Sequence, residues 1–121
     1  MLLTIFSIVF TFGLVIFFHE LGHLISAKRM GVKVEKFSLG FGPEWFGFTR
    51  GGTRYAVSLI PVGGYVKMAG EYPGEKRKGT PDEFLSQKWW RRILIVASGP
   101  AMNFILAIAI FSCMAFFARI V

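Results

Sequence analysis

A pair of histidines with a glutamate beside the first is the part of the sequence best suited to chemistry. Residues 19–23 read His-Glu-Leu-Gly-His, the pattern H-E-x-x-H. On a helix, positions i and i+4 lie one turn apart on the same face, so His19 and His23 can bind one Zn²⁺. Glu20 lies about 100° round the helix from His19, within reach of a metal-activated water. The pattern predicts two metal ligands and a general base.

Other interpretations of the motif stay open from the residues alone. His19 and His23 could be chance neighbours at the polar end of a helix, or part of a proton relay in a transporter. A haem is disfavoured, because two histidines on one helix face cannot fill both axial positions of one iron. A catalytic zinc takes three protein ligands, whereas the chain has two histidines and one cysteine, Cys113, deep in an apolar run. We expect the third ligand to lie outside this chain.

The elements that must position the motif are indicated by the distribution of charge. The chain of 121 residues is 54% hydrophobic and only 17% charged, against about 25% charged in ordinary soluble domains. Residues 2–18 and 93–118 carry no charged side chain. We expect two transmembrane helices, residues 1–30 with the motif and residues 93–119. A signal peptide fits the first segment poorly, because it lacks a basic start and a small-residue cleavage site.

The net charge of +7 belongs to the loop between these segments, where basic residues cluster next to both spans. The positive-inside rule places this loop in the cytoplasm and the N-terminus on the opposite side. A lipid bilayer surface explains such a loop better than nucleic acid, which we do not expect as a partner. Within the loop, residues 31–70 contain β-prone runs on both sides of Gly51-Gly52, which predicts a hairpin at about Trp45–Ile60. Residues 71–92 predict a polar linker and a short amphipathic interfacial helix.

Four blocks of the sequence resemble the site-2 protease family, and most closely its regulator-of-sigma-E protease branch. They cover residues 18–28, with the H-E-x-x-H, residues 31–43, with Phe-Ser-Leu-Gly-Phe-Gly-Pro, residues 60–68 and residues 98–104. The blocks occur in the family's order and together span nearly the whole chain. The resemblance implies an α-helical membrane protein with a small β element, in which the hairpin is membrane-associated and lies near the active site.

The resemblance further implies a zinc-dependent intramembrane endopeptidase of the bacterial inner membrane. Its substrates would be transmembrane segments of membrane-bound regulators, such as anti-sigma factors or signal-peptide remnants. His19 and His23 would be zinc ligands and Glu20 the general base, and a downstream part of the same protease would supply an aspartate ligand. This chain would then be the N-terminal part of the enzyme.

Further candidates for active-site support or substrate positioning come from two of these blocks. They are Gly99, Pro100 and Asn103 in the second span, and Gly40, Phe41 and Gly42 in the loop. Asn103 could equally make a hydrogen bond that packs two helices together. The alternative function for the chain is a non-catalytic two-span membrane module, or pseudoprotease fragment, that binds a partner.

Overall fold

The computed structural model describes residues 1–73 and 79–120, so residues 74–78 of the predicted linker lie outside the described residues. Along the chain, a long helix is followed by a β-hairpin and then by a second long helix. Their bounds are α1 Leu2–Arg29, β1 Val34–Arg50, β2 Thr53–Met68, a 3₁₀ turn at Phe84–Ser86, and α2 Trp89–Ile120. Both α-helices are long and apolar enough to cross a membrane. The two long apolar helices and the small antiparallel sheet agree with the predicted fold class.

Helix α1 ends where the sequence predicts, because a glycine follows its last basic turn. Gly31 has a positive φ of 79°, which costs glycine nothing. Its N–H donates to the carbonyl of Lys28 at 3.2 Å, and the N–H of Val32 donates to that of Ala27 at 2.9 Å. This pair of bonds is the Schellman motif, which satisfies the last carbonyls of the helix. The chain therefore leaves α1 directly into β1.

The hairpin turns at Gly51-Gly52, as the sequence predicts, but its strands are longer than the predicted range. Both turn residues have positive φ, 58° and 78°, which suits a two-residue hairpin turn. Residues 36–39 pair with residues 64–67 and also with residues 54–57. Each strand is therefore bent, and β1 is paired on both of its edges in this segment.

The sheet packs along α1 rather than beyond its end. The ring of Phe37 meets that of Phe17 edge-on at a centroid distance of 6.1 Å. Nearer the end of the helix, Nζ of Lys28 lies 5.6 Å from the ring centre of Tyr55. The buried core joins residues of both helices and both strands: Leu24, Ala27, Val32, Val34, Phe37, Met68 and Ile95. This core fixes α2 against the part of α1 that carries the histidines.

Helix α2 begins at Trp89, ahead of the predicted start of the span at residue 93. The carbonyl of Lys88 accepts the N–H groups of Arg91 and Arg92 at 3.0 and 3.1 Å. The segment predicted as a separate amphipathic helix thus consists of the short 3₁₀ turn and the first turn of α2. Long basic side chains can extend towards lipid headgroups while the backbone stays helical, so charge does not mark the helix end. Pro100 lies inside α2.

Candidate metal centre

The two histidines of the motif face each other across one turn of α1. Their Nε2 atoms are 3.1 Å apart and their ring centres 4.8 Å apart. Two nitrogens bound to one tetrahedral zinc, each at about 2.0–2.1 Å, lie roughly 3.3 Å from each other. The spacing of His19 and His23 therefore already fits two ligands of a single zinc ion.

His23 is oriented by the backbone of α2. Its Nδ1 lies 2.8 Å from the carbonyl oxygen of Ile95, and a carbonyl can only accept. Nδ1 of His23 therefore carries the proton, and Nε2 presents its lone pair. A hydrogen bond of this kind from the second ring nitrogen is what ligating histidines in metalloproteins commonly make. Sequence reasoning did not find Ile95, because a backbone carbonyl has no signal in the side-chain pattern.

His19 is approached by the side chain of Asn103 from α2. Its Nδ1 lies 3.2 Å from Nδ2 of Asn103. Oδ1 of Asn103 is buried and has no hydrogen-bond partner among the described residues. The structure thus brings the Asn103 and H-E-x-x-H candidates together, although 84 positions separate Asn103 from His19.

Gly99 leaves the space that both imidazoles use. A Cβ at this position would lie 2.5 Å from Nε2 of His23 and 2.8 Å from Nε2 of His19. Both distances are far below van der Waals contact, so any side chain at residue 99 would occupy the point where the two Nε2 atoms converge. On α1, a Cβ at Gly22 would lie 2.3 Å from the carbonyl oxygen of Ser98. Two glycines therefore permit the close approach of the helices that forms the site.

The remaining sequence candidates differ in where they lie relative to His19 and His23. Glu20 follows His19 on α1 and is half-buried. Pro100 lies next to Gly99 and lines a separate cavity of about 530 Å³ that Arg92 also lines. Gly40, Phe41 and Gly42 lie in β1 and contact β2 instead of the histidines. Among residues 1–73 and 79–120, no group of three His, Cys, Asp or Glu side chains is placed to hold a metal.

Comparisons with known proteins identify the family. The model of peptidase family M50 matches residues 7–119. The chain belongs to peptidase family M50. This membership confirms the resemblance to site-2 proteases that the four sequence blocks indicate.

Three relatives of this M50 chain share the name "Putative zinc metalloprotease". The one from Rhizobium meliloti is 44% identical over 90% of this chain and 32% of its own length. The one from Chlamydia pneumoniae is 43% identical over 83% of this chain and 18% of its own length. The one from Clostridium acetobutylicum is 43% identical over 85% of this chain and 30% of its own length. The M50 chain thus spans about a third or less of the length of these relatives.

Proposed function

We propose that this chain is the N-terminal part of a zinc-dependent intramembrane endopeptidase. The observation that carries the proposal is the convergence of Nε2 of His19 and Nε2 of His23, 3.1 Å apart, on the space kept open by Gly99. M50 membership and the names of the relatives support zinc as the metal. A chance pair at a polar helix end does not explain why two imidazole nitrogens meet at a glycine, and M50 membership favours a protease over a proton relay in a transporter.

His19 and His23 supply two of the three protein ligands that a catalytic zinc takes. When bound, zinc would polarise the scissile carbonyl and lower the pKa of an attacking water. The third ligand is an aspartate from a downstream part of the same protease. The greater length of the relatives supports this assignment, because they extend well beyond the region that this chain matches.

Glu20 is the general base, which accepts the proton of the attacking water and delivers it to the leaving amine. It follows His19 directly on a rigid helix, so the two ligands and the base keep a constant relative position. A site that held zinc only for stability would have no use for a half-buried carboxylate there. This distinction separates the protease from the alternative of a non-catalytic module.

The substrate is a transmembrane segment of a membrane-bound regulator, such as an anti-sigma factor or a signal-peptide remnant. A helical segment must be extended before its peptide bonds can be attacked, and strand addition to a sheet edge is one way to hold it. The sheet lies beside α1, with an apolar cavity of about 320 Å³ between them. Leu39, Gly40 and Gly63 line this cavity together with Val9 and Phe17 of α1. Gly40 lines this cavity and is followed in β1 by Phe41 and Gly42, and we assign all three residues to substrate positioning.

The enzyme resides in the inner membrane, with α1 and α2 crossing the bilayer. The exposed apolar side chains of both helices support this location, since burying them in lipid removes them from water. The basic residues at the end of α1 and the start of α2 support a cytoplasmic side for the loop. The hairpin is associated with the membrane on that side.

The test is the substitution Glu20→Gln in the native-length protein, with cleavage of a co-expressed transmembrane reporter as the readout. We expect cleavage to fall at least about 100-fold, because a positioned acid–base group contributes about 10²–10⁴-fold. Zinc content should stay equal to that of the unsubstituted protein, because the amide does not replace a ligand. The matched control Glu35→Gln removes an exposed glutamate of β1 and should cleave normally. Full cleavage by the Glu20 variant would contradict the base assignment.

A further inference from the structure

An open groove of about 530 Å³ runs along the exposed side of α2, and neither histidine lines it. Its lining residues in α2 recur at intervals of three and four positions and so share one face of the helix: Trp89, Arg92, Ile93, Val96, Ala97 and Pro100. Trp89, Ile93 and Val96 are 67%, 57% and 58% exposed, so more than half of each apolar side chain is uncovered. The described residues therefore leave an apolar stripe of α2 without a protein partner.

The groove begins where the charged loop meets the apolar span. Arg92 is the last charged residue before the uncharged run of residues 93–118. From Arg92 to Pro100 the helix rises about 12 Å, at about 1.5 Å per residue, whereas one leaflet contributes about 15 Å of hydrocarbon. The groove thus combines a cationic mouth at headgroup level with an apolar length inside a single leaflet.

The guanidinium of Arg92 has no counter-charge among the described residues. Its Nε is buried without a hydrogen-bond partner there, and no carboxylate of those residues forms an ion pair with it. The neighbouring Arg91 differs, because its Nη1 donates to the carbonyl of Met30 at 3.4 Å and its guanidinium lies 5.3 Å from the ring centre of Trp90. Arg91 therefore joins α2 to the end of α1, whereas Arg92 remains available to an anion. The planar fork of an arginine suits phosphate oxygens.

We propose that this groove binds one anionic phospholipid, with its phosphate at Arg92 and one acyl chain along the apolar residues down to Pro100. Charge complementarity supports this occupant, because Lys88 and Arg91 lie next to Arg92 and no acidic side chain among the described residues lines the groove. Basic pockets beside membrane helices commonly bind anionic headgroups, and tryptophan is enriched at the same depth. A phospholipid supplies both the phosphate and the apolar chain that the groove requires. The binding does not depend on the proposed zinc chemistry.

The direct test is native mass spectrometry of the native-length protein, titrated with phosphatidylglycerol or with phosphatidylcholine that has the same acyl chains. The first phosphatidylglycerol should bind about fivefold more tightly than phosphatidylcholine, and Arg92→Gln should remove this preference. Arg92→Lys keeps the charge and should retain the preference. The matched control Arg119→Gln removes a basic residue at the other end of α2 and should bind the first phosphatidylglycerol like wild type. Equal affinity of wild type for both lipids, or an unchanged preference in Arg92→Gln, would overturn the proposal.

A second pair of variants tests the position of the acyl chain. Ala97→Phe places a ring in the groove and should weaken the binding of both lipids. Ala115→Phe adds the same ring at an exposed position outside the groove and should bind both lipids like wild type. Wild-type affinity in the residue 97 variant would overturn the proposal, as expected if a downstream segment of the protease covers the groove. Displacement of the lipid by inorganic phosphate would also overturn it, because it would indicate a site for a free anion.

Discussion

The two halves of α1 differ in their surroundings as well as in polarity, since His19, Glu20 and His23 all lie in the second half. Residues 2–12 are all exposed, whereas most of residues 13–27 are half-buried or buried. The difference comes from α2 and the sheet, which pack against the second half. The histidines therefore lie in the half of α1 that contacts α2 and the sheet. The first half presents an apolar surface suited to lipid. The second half also contains Gly22, which permits the close approach of Ser98 on α2, whereas residues 2–12 contain no glycine.

Gly99→Ala against Gly13→Ala is the sharpest test of the contact between α1 and α2, because Gly99 faces the histidines of the second half whereas Gly13 has open space beside it. The added methyl group at residue 99 would collide with both Nε2 atoms, whereas at residue 13 it meets nothing within 4 Å. Misplacing reacting groups by about 1 Å costs about 100-fold in rate, so we expect at least that loss of cleavage, together with weaker zinc binding, in the first variant. The residue 13 variant should match wild type in zinc affinity. Zinc binding by both variants alike would show that Gly99 does not shape the site.

A second comparison replaces one leucine by alanine in each half of α1. Leu24 is 7% exposed and Leu3 is 76% exposed. Leu24→Ala should lower the free energy of unfolding by about 2–5 kcal/mol, because it removes buried contacts and leaves a cavity. Leu3→Ala should change it by less than about 0.5 kcal/mol. Denaturant unfolding in micelles measures both values, and equal losses would contradict the asymmetry of the helix.

The smallest expected effect is in the hairpin, at the exposed Glu44. Arg54 and Lys36, at 2.8 and 2.9 Å from its carboxylate oxygens, lower the pKa of Glu44 to about 2. A lowered folded-state pKa stabilises the fold above the unfolded value of about 4.3, and this contribution is lost as the pH falls to about 2. The thermal midpoint should therefore decrease slightly over that range, and Glu44→Gln should reduce the decrease. An identical pH profile in the variant would contradict the role of these ion pairs.

Much of the fold can be predicted from the sequence because its signals are local. The H-E-x-x-H spacing, the basic last turn before Gly31 and the Gly51-Gly52 turn each act within a few residues. The site is less predictable, because it depends on contacts between distant segments. Nothing local indicates that Ile95 offers its carbonyl to His23, or that Gly99 faces both imidazoles. The double pairing of residues 36–39 is likewise set by tertiary packing and by bends at glycines.

The central claim is that His19 and His23 together bind one zinc ion. X-ray absorption spectroscopy of the zinc-loaded native-length protein tests it most directly, because it reports the ligand atoms themselves. The account predicts imidazole nitrogens at about 2.0–2.1 Å, and loss of that signal in His23→Ala. A sulfur ligand at about 2.3 Å, or an unchanged imidazole signal in the variant, would contradict it.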